Sequence, residues 1–184
     1  MKRYGFTLIE VMISVAILTV VGGILFVLSL SMAQSSQVQE ARITSVDDAR
    51  GAMFIVIREL RQASMASINW NDLPGEQIEY RVAQDISGNG VAVDSSVRLE
   101  LSDIRMIQRD SDDQSDDGVT DTQLVLVDGN NVRVLANGLL PGEGGVWFER
   151  ADEGGVRVQI ATERRGPGGT PIRAVLTETV VPRN

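Results

Sequence analysis

Residues 6–30, FTLIEVMISVAILTVVGGILFVLSL, form a 25-residue run that is apolar almost throughout. At about 1.5 Å per residue, a helix of that length spans more than the ~30 Å hydrocarbon core of a bilayer. Beyond it the chain turns polar, yet no proline appears before Pro74. Apolar residues then recur at Val46, Ala49, Met53, Val56, Ile57, Leu60 and Ala63. Spacings of three and four predict one face of an amphipathic helix, with Arg50, Arg58, Glu59, Arg61 and Gln62 on the other side. The two segments read as one continuous helix from residue 6 to about residue 68. Gly22, Gly23 and Gly51 lower its propensity locally, by about 1 kcal/mol each relative to alanine.

After NWNDLPGE the period changes to two. QIEYRV, SVRLEL, IRMIQR, TQLVLV, NVRVL, VWFER, VRVQIAT and RAVLTETV each read as a strand, separated by SGNG, DGNN, LPGEGG, ADEGG and RRGPGGTP turns. Hairpins are expected at 127–132 and 151–155. Eight short strands with tight turns imply an antiparallel sheet with the long helix covering one face, an α+β fold.

Composition then restricts the chemistry. The 184 residues carry 17 Lys and Arg against 25 Asp and Glu, a net charge of −8. Nucleic-acid binding, which needs clustered basic side chains, is not expected. There is no Cys and no His, and Lys2 is the single lysine. Disulfides, thiolate zinc sites and His-assisted nucleophiles are therefore absent. GEGG and GPGG neither lead into a helix nor carry the lysine of a phosphate loop, so both read as turns. No pair of acids sits in apolar sequence that would split their pKa values. The expectation is a protein that is not an enzyme and has no organic cofactor.

The apolar run contains a glutamate, Glu10, close to its start. Lys2 and Arg3 precede the run, and the next basic residue is Arg42. That asymmetry predicts a cytoplasmic N-terminus, with the rest across the membrane. A plain one-pass anchor does not explain Glu10. A signal peptide cut before Gln34 fits no better, because its apolar region is normally ~7–15 residues and uncharged. The stretch KRYGFTLIEVMIS, however, resembles the prepilin signal of the type IV pilin and type II secretion pseudopilin superfamily. The likeness lies in a short basic leader ending in Gly5, then Phe6 to Glu10, then the apolar stretch.

The resemblance implies that a prepilin peptidase cuts between Gly5 and Phe6 and methylates the new Phe6 amine. It gives Glu10 an assembly role, opposite the terminal amine of a neighbouring subunit. A carboxylate in the bilayer costs ~2.5 kcal/mol or more. An ion pair at ~4 Å with an effective dielectric of ~20 offsets this with ~4 kcal/mol. The implied layout is a leader at 1–5, a transmembrane or filament-core helix at 6–30, its amphipathic continuation at 31–68 and a β-rich globular domain at 69–184.

RELRQA on the outer helix, the long β-rich region and the closing TETVVPRN resemble the minor pseudopilins of the J class and the W-type minor pilins. Glu10 argues against the K class, which usually lacks it. The C-terminal disulfide of many major pilins has no counterpart in a chain without Cys, which also has more strand than a major subunit needs, and Gly22-Gly23 stands where a helix-kinking proline is common. The function implied is a minor subunit of the periplasmic pseudopilus, priming it or lying near its tip. Its partners would be the peptidase, the I-, K-, H- and G-class pseudopilins and the inner-membrane assembly platform. A minor type IV pilin, for pilus assembly, adhesion or DNA uptake, is the alternative. A membrane-anchored or secreted extracytoplasmic binding domain is the alternative of a different class.

One segment remains. DSDDQSDDGVTD holds Asp110, Asp112, Asp113, Asp116, Asp117 and Asp121. As an EF-hand it fails, because position twelve falls on Leu124 where a glutamate is needed. A solvated acidic loop is the preferred reading. An irregular Ca²⁺ loop using Asp112, Asp113, Asp116, Asp117 and Asp121 is the other.

Overall fold

The computed structural model describes residues 7–94, 96, 98–142, 144–152 and 154–183. The chain divides into two compact units, Met1–Glu40 and Ala41–Asn184. One helix, α1 (Leu8–Gln62), runs through both.

In the first unit every described residue is exposed, including Leu18 and Phe26, and the helix is long and apolar enough to cross a membrane. Two of its hydroxyls, Ser14 and Thr19, find acceptors within the helix. Ser14 Oγ donates to the Glu10 carbonyl at 2.7 Å, and Thr19 Oγ1 donates to the Val15 carbonyl at 2.8 Å. A lipid-facing helix requires such internal partners, since no water is there to supply them.

In the second unit, α1 buries Ser45, Ala49, Ala52, Met53, Val56, Glu59 and Leu60. Six of these fit a core-facing stripe; Glu59 was expected on the solvent side and lies on the buried one. Its position is three residues after Val56 and seven after Ala52, so helical geometry puts it on the core face whatever its charge. α1 also ends at Gln62, short of residue 68. The backbone of Ala63 and Ser64 leaves the helix to pair elsewhere. Ala63 bridges Val82, Ser64 N donates to the Arg81 carbonyl at 2.9 Å, and Arg183 N donates to the Ala63 carbonyl at 3.0 Å. Two short 3₁₀ turns, Met65–Ser67 and Trp70–Asp72, follow.

Among the described residues there are seven strands in two antiparallel sheets rather than one. The first holds β1 (Gln77–Tyr80), β2 (Arg105–Arg109), β3 (Gln123–Asp128) and β4 (Asn131–Asn137), in that order. The second holds β5 (Val146–Arg150), β6 (Val156–Arg165) and β7 (Pro171–Val180). The sheets meet where Gly75 and Phe148 exchange backbone hydrogen bonds of 2.9 and 2.8 Å. A Cβ on Gly75 would lie 2.8 Å from the Asp72 carbonyl oxygen, so only glycine fits that seam.

Both expected hairpins are present. Asp128 pairs with Asn131 around Gly129, whose φ of 59° is the glycine conformation a two-residue turn needs. Arg150 pairs with Val156 across the five-residue loop 151–155. Among its described residues SVRLEL forms no strand, only isolated bridges at Leu99 and Leu101. None of its described residues is buried, Leu99 being 47% exposed, and Glu100 turns back to accept from Ile86 N and Ser87 N. Without an apolar face to cover, nothing holds that segment on a sheet.

The core gathers Met53, Val56 and Leu60 from α1, Ile78 and Tyr80 from β1, Ile107, Leu124 and Phe148, with Val158 and Ile160. Two polar ties fix the helix to β6. Ser45 Oγ lies 3.0 Å from Thr162 Oγ1, both buried, and Arg164 donates through Nε and Nη2 to Asp48 Oδ2 at 2.9 and 2.6 Å.

Candidate functional site

The N-terminal site is built on the first turn of α1. Thr7 N and Thr7 Oγ1 donate to Glu10 Oε2 at 2.9 and 2.8 Å, and Glu10 N approaches Thr7 Oγ1 at 3.4 Å. This reciprocal arrangement is a capping box, in which each side chain satisfies a backbone amide that the helix start leaves without a partner. The T-x-x-E spacing of Thr7 and Glu10 announces it in the sequence, although the reading above credits Glu10 with assembly alone. Because both bonds fall on Oε2, Oε1 accepts none among the described residues. The carboxylate is therefore oriented by Thr7, with Oε1 left for a cationic partner so far as the described residues go. Gly5 and Phe6, the expected cleavage and methylation positions, lie outside the described residues.

With this geometry in place, comparison with known proteins identifies the N-terminus. Residues 1–26 match the family described as the prokaryotic N-terminal methylation motif. This is a prepilin-type start. The match supports a type IV pilin-like protein, pilin or pseudopilin, and implies processing by a prepilin peptidase and assembly with other pilins. Comparisons with curated proteins and with solved structures gave no match. The motif lies within the first unit and stops at residue 26. For the head, the long helix set on antiparallel sheet carries the likeness.

The acidic segment forms the loop between β2 and β3. Asp110, fully buried, accepts from Gln114 N and Ser115 N. Asp113 accepts from Asp117 N and Gly118 N, and Asp117 accepts from Val119 N and Gln123 Nε2. The Gln123 amide foremost, with the Val119 N–H, holds the Asp117 carboxyl below the usual carboxylate range. Asp112, Asp116 and Asp121 point to solvent, the last two with positive φ. Among the described residues no three acids converge as a metal group. Asp110, Asp113 and Asp117 instead close the loop on its own amides. Chelation with EGTA should therefore leave the thermal melting of the full-length protein in detergent unchanged. A lower Tm after chelation, abolished by Asp116→Ala or Asp117→Ala, would restore the calcium reading.

Sequence reasoning missed a second polar site, inside the head. Glu59 is 6% exposed. Its Oε1 accepts from Arg133 Nη2 at 3.2 Å and lies 3.6 Å from Arg58, while Oε2 lies 3.9 Å from Arg105. Arg105 continues to Asp128 at 3.0 Å. Strand register explains the set. Tyr80, Arg105 and Asp128 are successive cross-strand partners, so their side chains share the face beneath α1. Glu59, Arg105, Asp128 and Arg133 line a cavity of about 190 Å³. Burial, and next the Glu59 charge, push the Tyr80 phenol well above its ordinary range; its hydroxyl has no partner among the described residues.

Proposed function

We propose that the chain is a non-enzymatic minor pseudopilin of a type II secretion system, resembling the J class, that primes or lies near the tip of the periplasmic pseudopilus. The observation that carries this is Glu10, a carboxylate in an apolar helix within a methylation-type N-terminus, oriented by Thr7 with one oxygen free. After cutting before Phe6, the subunit would sit in the inner membrane, with Lys2 and Arg3 having held the leader on the cytoplasmic side. The free Glu10 oxygen would meet the methylated amine of an adjoining subunit as the filament adds subunits. The head, with no reactive Cys or His and an apolar core between helix and sheets, serves contact with other subunits rather than chemistry. Partners would be I-, K-, H- and G-class pseudopilins and the assembly platform.

Deleting the gene tests this reading. The expected result is that exported proteins accumulate in the periplasm, while pilus-dependent motility and DNA uptake continue. Normal export with loss of surface pili would instead make the chain a minor type IV pilin.

A further inference from the structure

The head carries a groove of about 820 Å³ between α1 and β7. Arg50, Phe54, Arg58 and Arg61, spaced by four, four and three, line its helix wall. Those spacings form a stripe on the side of α1 turned away from the core. Leu176 and Glu178 of β7, then Val181 and Arg183, line the other wall. Phe54 is 68% exposed and Val181 58%. The charge is out of character for the chain: four arginines and one glutamate line the groove of a protein whose net charge is −8. Its arginines are weakly committed. Arg50 reaches Asp47 only at 3.8 Å in solvent, Arg58 lies 3.6 Å from Glu59 with its own side chain half exposed, and among the described residues Arg61 and Arg183 form no ion pair.

We propose that this groove seats an acidic segment of another pilin-like subunit, which presents a large apolar side chain to Phe54 and Val181. The proposal rests on the pilin-like reading and names the surface through which it acts. Arginines around an exposed aromatic side chain are the composition that the energetic centres of protein interfaces favour. An acidic partner is drawn to such a groove and fixed in register, whereas a basic one is repelled. β7 is the outer strand of its sheet, so the sheet wall is open to an incoming chain.

Because the protein has no cysteine, Phe54→Cys or Val181→Cys gives the full-length chain a single thiol at the groove. The probes are the other proteins of the same genome with an N-terminal methylation motif, co-expressed one at a time with single cysteines beside their acidic surface segments. The expected result is a disulfide from both groove positions to one such segment. Arg50→Glu with Arg61→Glu should weaken it roughly tenfold or more, and arginines in place of the partner's acids should restore it. Cross-links at Trp147→Cys on β5, with none at Phe54→Cys or Val181→Cys, would overturn the groove and leave the pilin-like reading standing. Cross-links only to a second copy of this chain would overturn it in favour of self-association. No cross-link from any position to any pilin-like subunit would remove the pilin-like reading, and the proposal with it.

Discussion

Glu59→Ala is expected to destabilise the head by about 3 kcal/mol, lowering Tm by roughly 6–12 °C in the full-length protein in detergent. The carboxylate is buried among guanidinium groups of β2 and β4, and removing it leaves Arg105 with Asp128 alone beside an enlarged cavity beneath α1. The figure is at the low end for breaking a buried ion pair, because Arg58 and Arg133 are half exposed and keep their water. Glu59→Gln retains an acceptor for Arg133 and should lose about half as much. Arg133→Ala, acting on the exposed partner, should cost under about 1 kcal/mol. If all three variants melt with the wild type, Glu59 is a solvated helix residue and the interior cluster has no energetic role.

Glu10→Leu should separate processing from assembly. The variant should still be cut and inserted, and lie more comfortably in lipid, because a polar group costing ~2.5 kcal/mol has gone. It should not join its partners, since the neighbour's amine would be left unpaired in the filament core. The capping box sharpens the expectation. Thr7 already occupies Oε2, so the free Oε1 is the atom assembly would use. Glu10→Gln keeps the Thr7 bonds but not the charge, and should assemble as poorly as Glu10→Leu. Wild-type cross-linking to partner subunits by both variants, with cleavage intact, would mean that Glu10 serves only to start the helix.

The long helix, the strands and the two hairpins were legible because each rests on a local signal: a period of 3.6, a period of two, or glycine at a turn. Where the reading departed from the structure, distant partners decided. Glu59 occupies a core-facing helical position, but the arginines that let a carboxylate stay there lie 46 and 74 residues away, on strands whose register the sequence does not display. The early end of α1 has the same cause. Nothing near Gln62 stops a helix, and it is Arg81, Val82 and Arg183 that take up the next backbone groups. SVRLEL alternates like a strand, but alternation alone does not supply the core face that would hold it. The seam where the two sheets meet turns on Gly75, whose need to be glycine appears only once Asp72 is in place. At the N-terminus the case is reversed, for the Thr7–Glu10 capping box was written in four adjacent residues.

The most direct test of the account is the intact mass of the protein purified from membranes. Processing as a pilin-like subunit predicts a chain of residues 6–184 carrying one added methyl group on Phe6, and Gly5→Ala should leave it uncut. A chain starting at Met1, or one starting at Gln34, would contradict the account and turn the N-terminus into a simple anchor or a secretory signal.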